Sequence, residues 1–345
     1  MKAIYIEDQG STDVLTYGDR PDPIMKESEV LIAIKAASIN RFDIYARSGA
    51  NKVPIAFPRI LGEDLSGEVL DASIPALESG IFPGSRVVVD PRIPCWECIE
   101  CRSGRNEDCS NRQDLGYNID GSYAEIISVP WKNVYTIPDS ISFEEAAAMP
   151  IVFKTAWRML VTKAKIKPGE TVLIHSAGSG VGSAAIQIAN FFGCNIITTV
   201  GADWKLLKAK EIGVAHALNY QENKNWPDYV KDITNGEGVD VIIDSVGENV
   251  WEGSYRCLKR QGRFVTCGVT SGHKVNLHLG QLFLNGYEIM GVGGFRYEEF
   301  QTIMKLVHAN KLKGIVGATF PLQESAEAHQ LMESRNFFGK IILTT

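Results

Sequence analysis

From about residue 151 to about residue 294, apolar strands alternate with helical stretches, and no other feature limits the possible fold of this chain as tightly. Alternation of this kind means βαβ units, because two parallel strands need a crossover between them, and it predicts a parallel sheet covered by helices. The first unit reads as an apolar strand over 171–175, the turn Ser176-Ala177-Gly178-Ser179-Gly180-Val181-Gly182, and a helix over 183–192. A second strand follows over 195–200. Glycines in such a turn let the backbone approach a pyrophosphate and seat it at a helix N-terminus, where free N–H groups and the helix dipole favour anions. A glycine-rich turn alone is weak evidence, but this one lies between a strand and a helix at βαβ spacing, as a dinucleotide site requires. Ala177, Gly178, Ser179, Gly180, Val181 and Gly182 are therefore the expected cofactor-binding turn.

The end of the second strand bears on which nicotinamide cofactor enters. An NAD site usually places Asp or Glu roughly 20 residues beyond the turn, on the ribose 2′-hydroxyl. Gly201 occupies that place, with Asp203 slightly late and Lys205 just inside the next helix. A missing carboxylate leaves room for a 2′-phosphate, and Lys205 offers a counter-charge, so NADPH is expected. Asp203 keeps NADH as the alternative, and Lys208 and Lys210 on the same helix allow Lys205 to be a solvated surface lysine.

Up to about residue 150 the rhythm differs. Short alternating runs such as 29–36 and 86–90, punctuated by Gly and Pro, predict an antiparallel β domain. Inside it lie Cys95, Cys98, Cys101 and Cys109, spaced C-x2-C-x2-C-x7-C. Four thiolates close a tetrahedron around zinc with no open position, so the expected metal holds a loop and activates nothing. An iron–sulfur cluster takes the same four ligands and is the alternative. A disulfide cluster would need a secretory context. The other thiols, Cys194, Cys257 and Cys267, fall in apolar or glycine-rich stretches and read as buried and unpaired.

With 345 residues, 45% of them hydrophobic, the chain can bury two cores. A net charge of −6 and the lack of a basic patch argue against nucleic-acid and membrane partners. The opening Met-Lys-Ala-Ile-Tyr-Ile is a short alternating strand with no long apolar stretch behind it, so no signal peptide or transmembrane helix is expected and the reading is cytoplasmic.

Beyond these readings, the chain resembles the medium-chain dehydrogenase/reductase superfamily, which includes zinc alcohol dehydrogenases and quinone reductases. The resemblance is carried by the Leu61-Gly62-Glu63-Asp64-Leu65-Ser66-Gly67-Glu68-Val69 segment, Pro83-Gly84-Ser85-Arg86-Val87, the four-cysteine lobe, the His175 to Gly182 turn and the closing Gly339-Lys340-Ile341-Ile342-Leu343. It implies an α/β chain with a GroES-like antiparallel β domain over 1–150, completed by 295–345, and a Rossmann domain with a doubly wound parallel sheet over 151–294. It also implies a homodimer or homotetramer formed through an edge strand near 287–293. Within it, His175 belongs to a structural motif and is expected to pack or hydrogen-bond.

Departures from the alcohol dehydrogenase branch are as informative as the matches. Where that branch has its catalytic zinc ligands, this chain has Asn40, Glu63 and Ile151, and Phe42 replaces the hydroxyl that relays the alcohol proton. One carboxylate makes a poor zinc site. The stretch from Asn40 to Gly49 instead resembles the quinone reductase pattern N-x-x-D-x-Y-x-R-x-G, in which the asparagine and tyrosine line the nicotinamide cleft. By that resemblance Asn40 and Tyr45 are the candidate catalytic residues, able to stabilise a developing enolate or phenolate, with Tyr45 or water as proton donor. Both could instead only orient substrate. Arg41 is expected near a cofactor phosphate, Thr155 near nicotinamide and Tyr220 near the 2′-phosphate.

The expected activity is reduction of an activated C=C, such as an enone or an enoyl thioester like acryloyl-CoA, or of a quinone, by NADPH without catalytic zinc. An alcohol or aldehyde oxidoreductase with unusual ligands at Glu63 and Asp64 is one alternative. A catalytically silent NADPH-binding protein is the other.

Overall fold

The structure, a computed structural model, describes residues 1–345 apart from Val53. The chain divides into two compact units, Met1–Ile151 with Phe295–Thr345, and Val152–Gly294. Among the described residues no helix is long and apolar enough to cross a membrane.

The first unit is built on a seven-stranded sheet. Its path runs Val134–Thr136, Arg86–Val89, Asp64–Ala72, Glu29–Ser38, Lys340–Thr344 and Val316–Pro321, and Ile126–Pro130 also pairs with Glu29–Ser38. Neighbours are antiparallel except for the last pair, Val316–Pro321 with Lys340–Thr344, which runs parallel. Alternation explains the pairing: Ile4, Ile6, Val30, Ile32, Ile34, Val87, Val89 and Val129 turn inward to one apolar core. Two register pairs converge on one residue of this sheet. Ser38 lies opposite Asp64 on one side and opposite Ile342 on the other.

The second unit holds a parallel six-stranded sheet in the order His216–Asn219, Asn195–Val200, Thr171–Ile174, Val239–Asp244, Leu258–Thr266, Glu288–Gly291. Counted from Thr171–Ile174, this is the 3-2-1-4-5-6 order of a doubly wound fold. Val172, Leu173, Val241, Ile242 and Ile243 are buried, as expected where helices cover both faces. One boundary differs from the sequence reading: the helix after the glycine turn spans Gly180–Phe191, starting three residues early. Ser179 sets that start, its hydroxyl accepting from the Gly182 N–H at 2.9 Å as an N-cap. Cys194 and Cys257 are buried, and Cys267, half-buried as a residue, has its thiol pushed up to about 12 by burial.

Candidate active site and metal centre

In the second unit the turn follows directly from Thr171–Ile174. Ser176 turns the backbone at φ 60°, and a Cβ on Gly182 would sit 2.1 Å from the Ser176 carbonyl oxygen. Only glycine fits there, so helix and turn close together and leave the first N–H groups of the helix beside the turn. His175 supports the turn from beneath. The Ser254 hydroxyl donates to the Val250 carbonyl, so it accepts from His175 Nε2 at 2.7 Å. His175 Nδ1 then accepts from the Thr199 hydroxyl at 2.9 Å. That network assigns the neutral Nε2–H tautomer, and burial pushes the ring's pKa down to about 3.

At the far end of the next strand, the Tyr220 hydroxyl would lie 3.4 Å from a Cβ at Gly201. Tyr220 and Gly201 are thus neighbours, and Tyr220 is half-buried. Asp203 does not point free: its Oδ1 accepts from Asn219 Nδ2 at 2.7 Å. Lys205 is half-buried, its ammonium 5.2 Å from the centre of the Trp204 ring, and burial lowers its pKa. Thr155 is buried on the helix Pro150–Trp157.

The first unit gathers a buried ionic cluster around Asn40, which sits at the N-cap of the helix Arg41–Ser48. Asn40 Nδ2 donates to Asp64 Oδ2 at 2.9 Å, and Lys340 Nζ donates to Asn40 Oδ1 at 2.6 Å and to Asp64 Oδ2 at 3.3 Å. The Ser38 hydroxyl and the Ile151 N–H also donate to Asp64. Beside it, Glu63 lies 2.6 Å from Arg92 Nη2 in a contact off the hydrogen-bond direction, and Arg92 also reaches Asp114 at 3.2 Å. Burial raises the Glu63 pKa to about 7 against the pull of Arg92. Asp43, which accepts the Asn40 backbone N–H at 2.7 Å, is raised well above its usual range by burial and by Glu63. Phe42 packs edge-on to Tyr117, the ring centres 5.5 Å apart.

Tyr45 is half-buried on the same helix as Arg41. It follows Asn40 by five residues on the helix that Asn40 caps, and Asn40 itself keeps an extended backbone. Arg41 is half-buried, close enough to Tyr45, Arg335 and Glu333 to feel their charges, and burial lowers its pKa. Lys340, Arg92 and Asp114 had no role in the sequence reading. The one signal for Lys340 was a lysine opening an otherwise apolar strand, Lys-Ile-Ile-Leu-Thr.

The four cysteine sulfurs lie within 4.8 Å of one another, the one such metal-ligand group among the described residues. Around a tetrahedral zinc with bonds of about 2.3 Å, sulfurs would stand roughly 3.8 Å apart. The donors fit such an ion. Backbone N–H groups of Cys95, Cys98 and Cys101 point at the sulfurs of Cys109, Cys95 and Cys98 at 3.3, 3.4 and 3.5 Å. The N–H groups of Glu97 and Cys98 lower the Cys95 pKa to about 6, whereas burial and the neighbouring thiols raise Cys98 to about 12 and Cys109 above its usual range, so a bound cation would itself have to displace those protons.

Residues 26–139 match the alcohol dehydrogenase GroES-like domain family, and residues 180–309 match the zinc-binding dehydrogenase family. Among solved structures, the chain is similar to the crystal structure of a NAD-dependent alcohol dehydrogenase, at 36% identity and a TM-score of 0.94, with 100% of each chain covered. It is 29% identical to the quinone oxidoreductase of Homo sapiens, covering 99% of this chain and 97% of that protein. It is 27% identical to the acryloyl-coenzyme A reductase of Metallosphaera sedula, with 100% of both covered.

Proposed function

Because the chain belongs to the medium-chain dehydrogenase/reductase superfamily and is an NAD(P)H-dependent oxidoreductase, we propose that it reduces an activated C=C or a quinone with NADPH and without catalytic zinc. The observation that carries this reading is what stands at the three positions where the alcohol dehydrogenase branch binds zinc. Asn40 is held by Lys340 and Asp64, Glu63 is paired with Arg92, and Ile151 has no ligand atom in its side chain. Two cations therefore lie against these residues, and a dication would have to displace them.

Bound NADPH supplies a hydride, and the turn Ala177 to Gly182 supplies its pyrophosphate seat. Tyr220 beside Gly201, with Asp203 engaged by Asn219 and Lys205 four residues past Gly201 in the sequence, supports the 2′-phosphate over a bare 2′-hydroxyl. Arg41 and Thr155 are assigned to the cofactor phosphate and the nicotinamide. Hydride arriving at the β-carbon of an enone or enoyl thioester places charge on the carbonyl oxygen, where the Asn40 amide can donate. A proton from Tyr45 or water then reaches the α-carbon, so one hydride and one proton saturate the double bond. The four-cysteine lobe holds a structural zinc. The protomers associate as a dimer or tetramer through the outer strand Glu288–Gly291.

The discriminating assay follows cofactor oxidation with 1,4-benzoquinone, methyl vinyl ketone and acryloyl-CoA, with NADPH and NADH in parallel, before and after treatment with a chelator. Turnover with NADPH that survives the chelator is expected. The structural relative named as an alcohol dehydrogenase favours a second reading, oxidation of alcohols. Turnover of simple alcohols, lost on chelation, would replace the first reading with the second.

A further inference from the structure

Lys340 is 3% exposed, and nothing in the hydride and proton transfers calls for it. A buried ammonium is costly unless its surroundings give it several partners. Here it has two, Asn40 Oδ1 at 2.6 Å and Asp64 Oδ2 at 3.3 Å. Sheet register puts it there: Ile342 pairs with Ser38, and the Ile39 N–H donates to the Ile341 carbonyl, so Lys340 arrives alongside Asn40. Ser38 also pairs with Asp64, which brings the carboxylate to the same spot from the other neighbouring strand.

An asparagine side chain can present either its carbonyl or its amino end to a partner, because a half-turn exchanges them. Next to an ammonium, which has only hydrogens to offer, the amide oxygen must face Lys340. The amino end then faces Asp64, and one of its two hydrogens is committed there at 2.9 Å. The other hydrogen is left to donate. The ammonium donating to Oδ1 also draws electrons through the amide and strengthens that donor.

We infer that Lys340 is the positioning residue of the site: its ammonium locks the Asn40 amide with the oxygen on Lys340 and the amino end on Asp64, and it polarises the remaining amino hydrogen as donor to the substrate oxygen. This rests on the reading of Asn40 as the oxyanion donor. Lys340 thus provides, from the last strand of the sheet, a fixed positive charge behind the donor. Its contribution falls on the transition state, so it should appear in kcat rather than in cofactor affinity.

The test uses the full chain with NADPH and whichever of the three acceptors it turns over fastest. Lys340→Met is expected to lower kcat roughly 10- to 100-fold while the NADPH Kd stays within about twofold. Lys340→Arg, which keeps charge and donors, is expected to recover most of that loss. Since Lys340→Met leaves Asp64 as an unpaired buried charge and can unfold the unit, Lys340→Met/Asp64→Asn removes both charges and leaves Asn40 free to turn. The same fall in kcat in this folded double variant supports the inference. Asn40→Ala separates the two levels. If Asn40→Ala loses activity while the double variant keeps the wild-type kcat, Lys340 is only structural and the inference alone is overturned. If Asn40→Ala itself keeps the wild-type kcat, the donor reading falls and takes the inference with it.

Discussion

Gly182 has no room for a methyl group, because the carbonyl of Ser176 closes the space where one would sit. Gly182→Ala must therefore open the turn by shifting backbone, and the pyrophosphate seat opens with it. NADPH affinity measured by fluorescence titration should fall at least about tenfold, with far-ultraviolet circular dichroism unchanged. His175 makes a different prediction, in stability. Its pKa of about 3 in the fold lies below 6.5 in the unfolded chain, so between those values the unfolded chain binds one more proton. Stability from this residue is complete above pH 6.5 and is lost as the pH falls toward 3. Compared with wild type, His175→Gln should show a shallower acid decline in urea titrations, by about 1.4 kcal/mol per pH unit in that window. His175 was legible in the sequence as a packing or hydrogen-bonding residue because it ends an apolar strand. The ionic cluster was not legible, because Asn40, Asp64 and Lys340 come from three strand ends that only sheet register unites. No local pattern encodes a partner 300 residues away.

The cysteine lobe is an element whose regular structure is too slight to hold itself. It contains a two-residue strand pair, Arg92–Ile93 with Gln113–Asp114, and the four-residue helix Ile99–Arg102. Besides a few backbone hydrogen bonds it has the ion pairs Arg92–Asp114 and Arg296–Glu107 and the edge-on pair Trp96–Tyr297, and a metal on the four thiols, as proposed, would add the remaining ordering. Elemental analysis should find one zinc per chain, and none in Cys95→Ser/Cys98→Ser. In that variant, limited proteolysis should cut between residues 95 and 118 while NADPH affinity stays within about twofold. This lobe was readable because its ligands are close in sequence and their spacing is itself the signal. Strand Asn195–Val200 was read to the residue because five of its six residues, Ile196 to Val200, are β-branched, and Gly193 and Gly201 bound it. The helix start was misplaced because cap geometry, with Ser179 turning its hydroxyl onto Gly182, outranks the glycines' weak helix propensity.

At the scale of the molecule, the parallel sheet ends at Glu288–Gly291, with exposed Ile289 on the strand and Leu279, Phe283 and Leu284 exposed on the helix before it. An open edge beside exposed apolar side chains invites pairing with a second copy. Sedimentation should show a dimer or tetramer, and Ile289→Asp/Phe283→Asp should shift it toward monomer without unfolding the chain. The sheet of the first unit has another property. Lys340–Thr344 lies between Glu29–Ser38 and Val316–Pro321, so an interior strand of that sheet follows one of its neighbours by about 300 residues. A ribosome delivers residues in order. The second unit, continuous from Val152 to Gly294, can fold as it emerges, whereas the first must wait, its early strands unpartnered, until Lys340–Thr344 has emerged. Nascent chains of this protein should therefore engage chaperones through their oldest part, and lose that engagement only once Lys340–Thr344 can reach its partner strand.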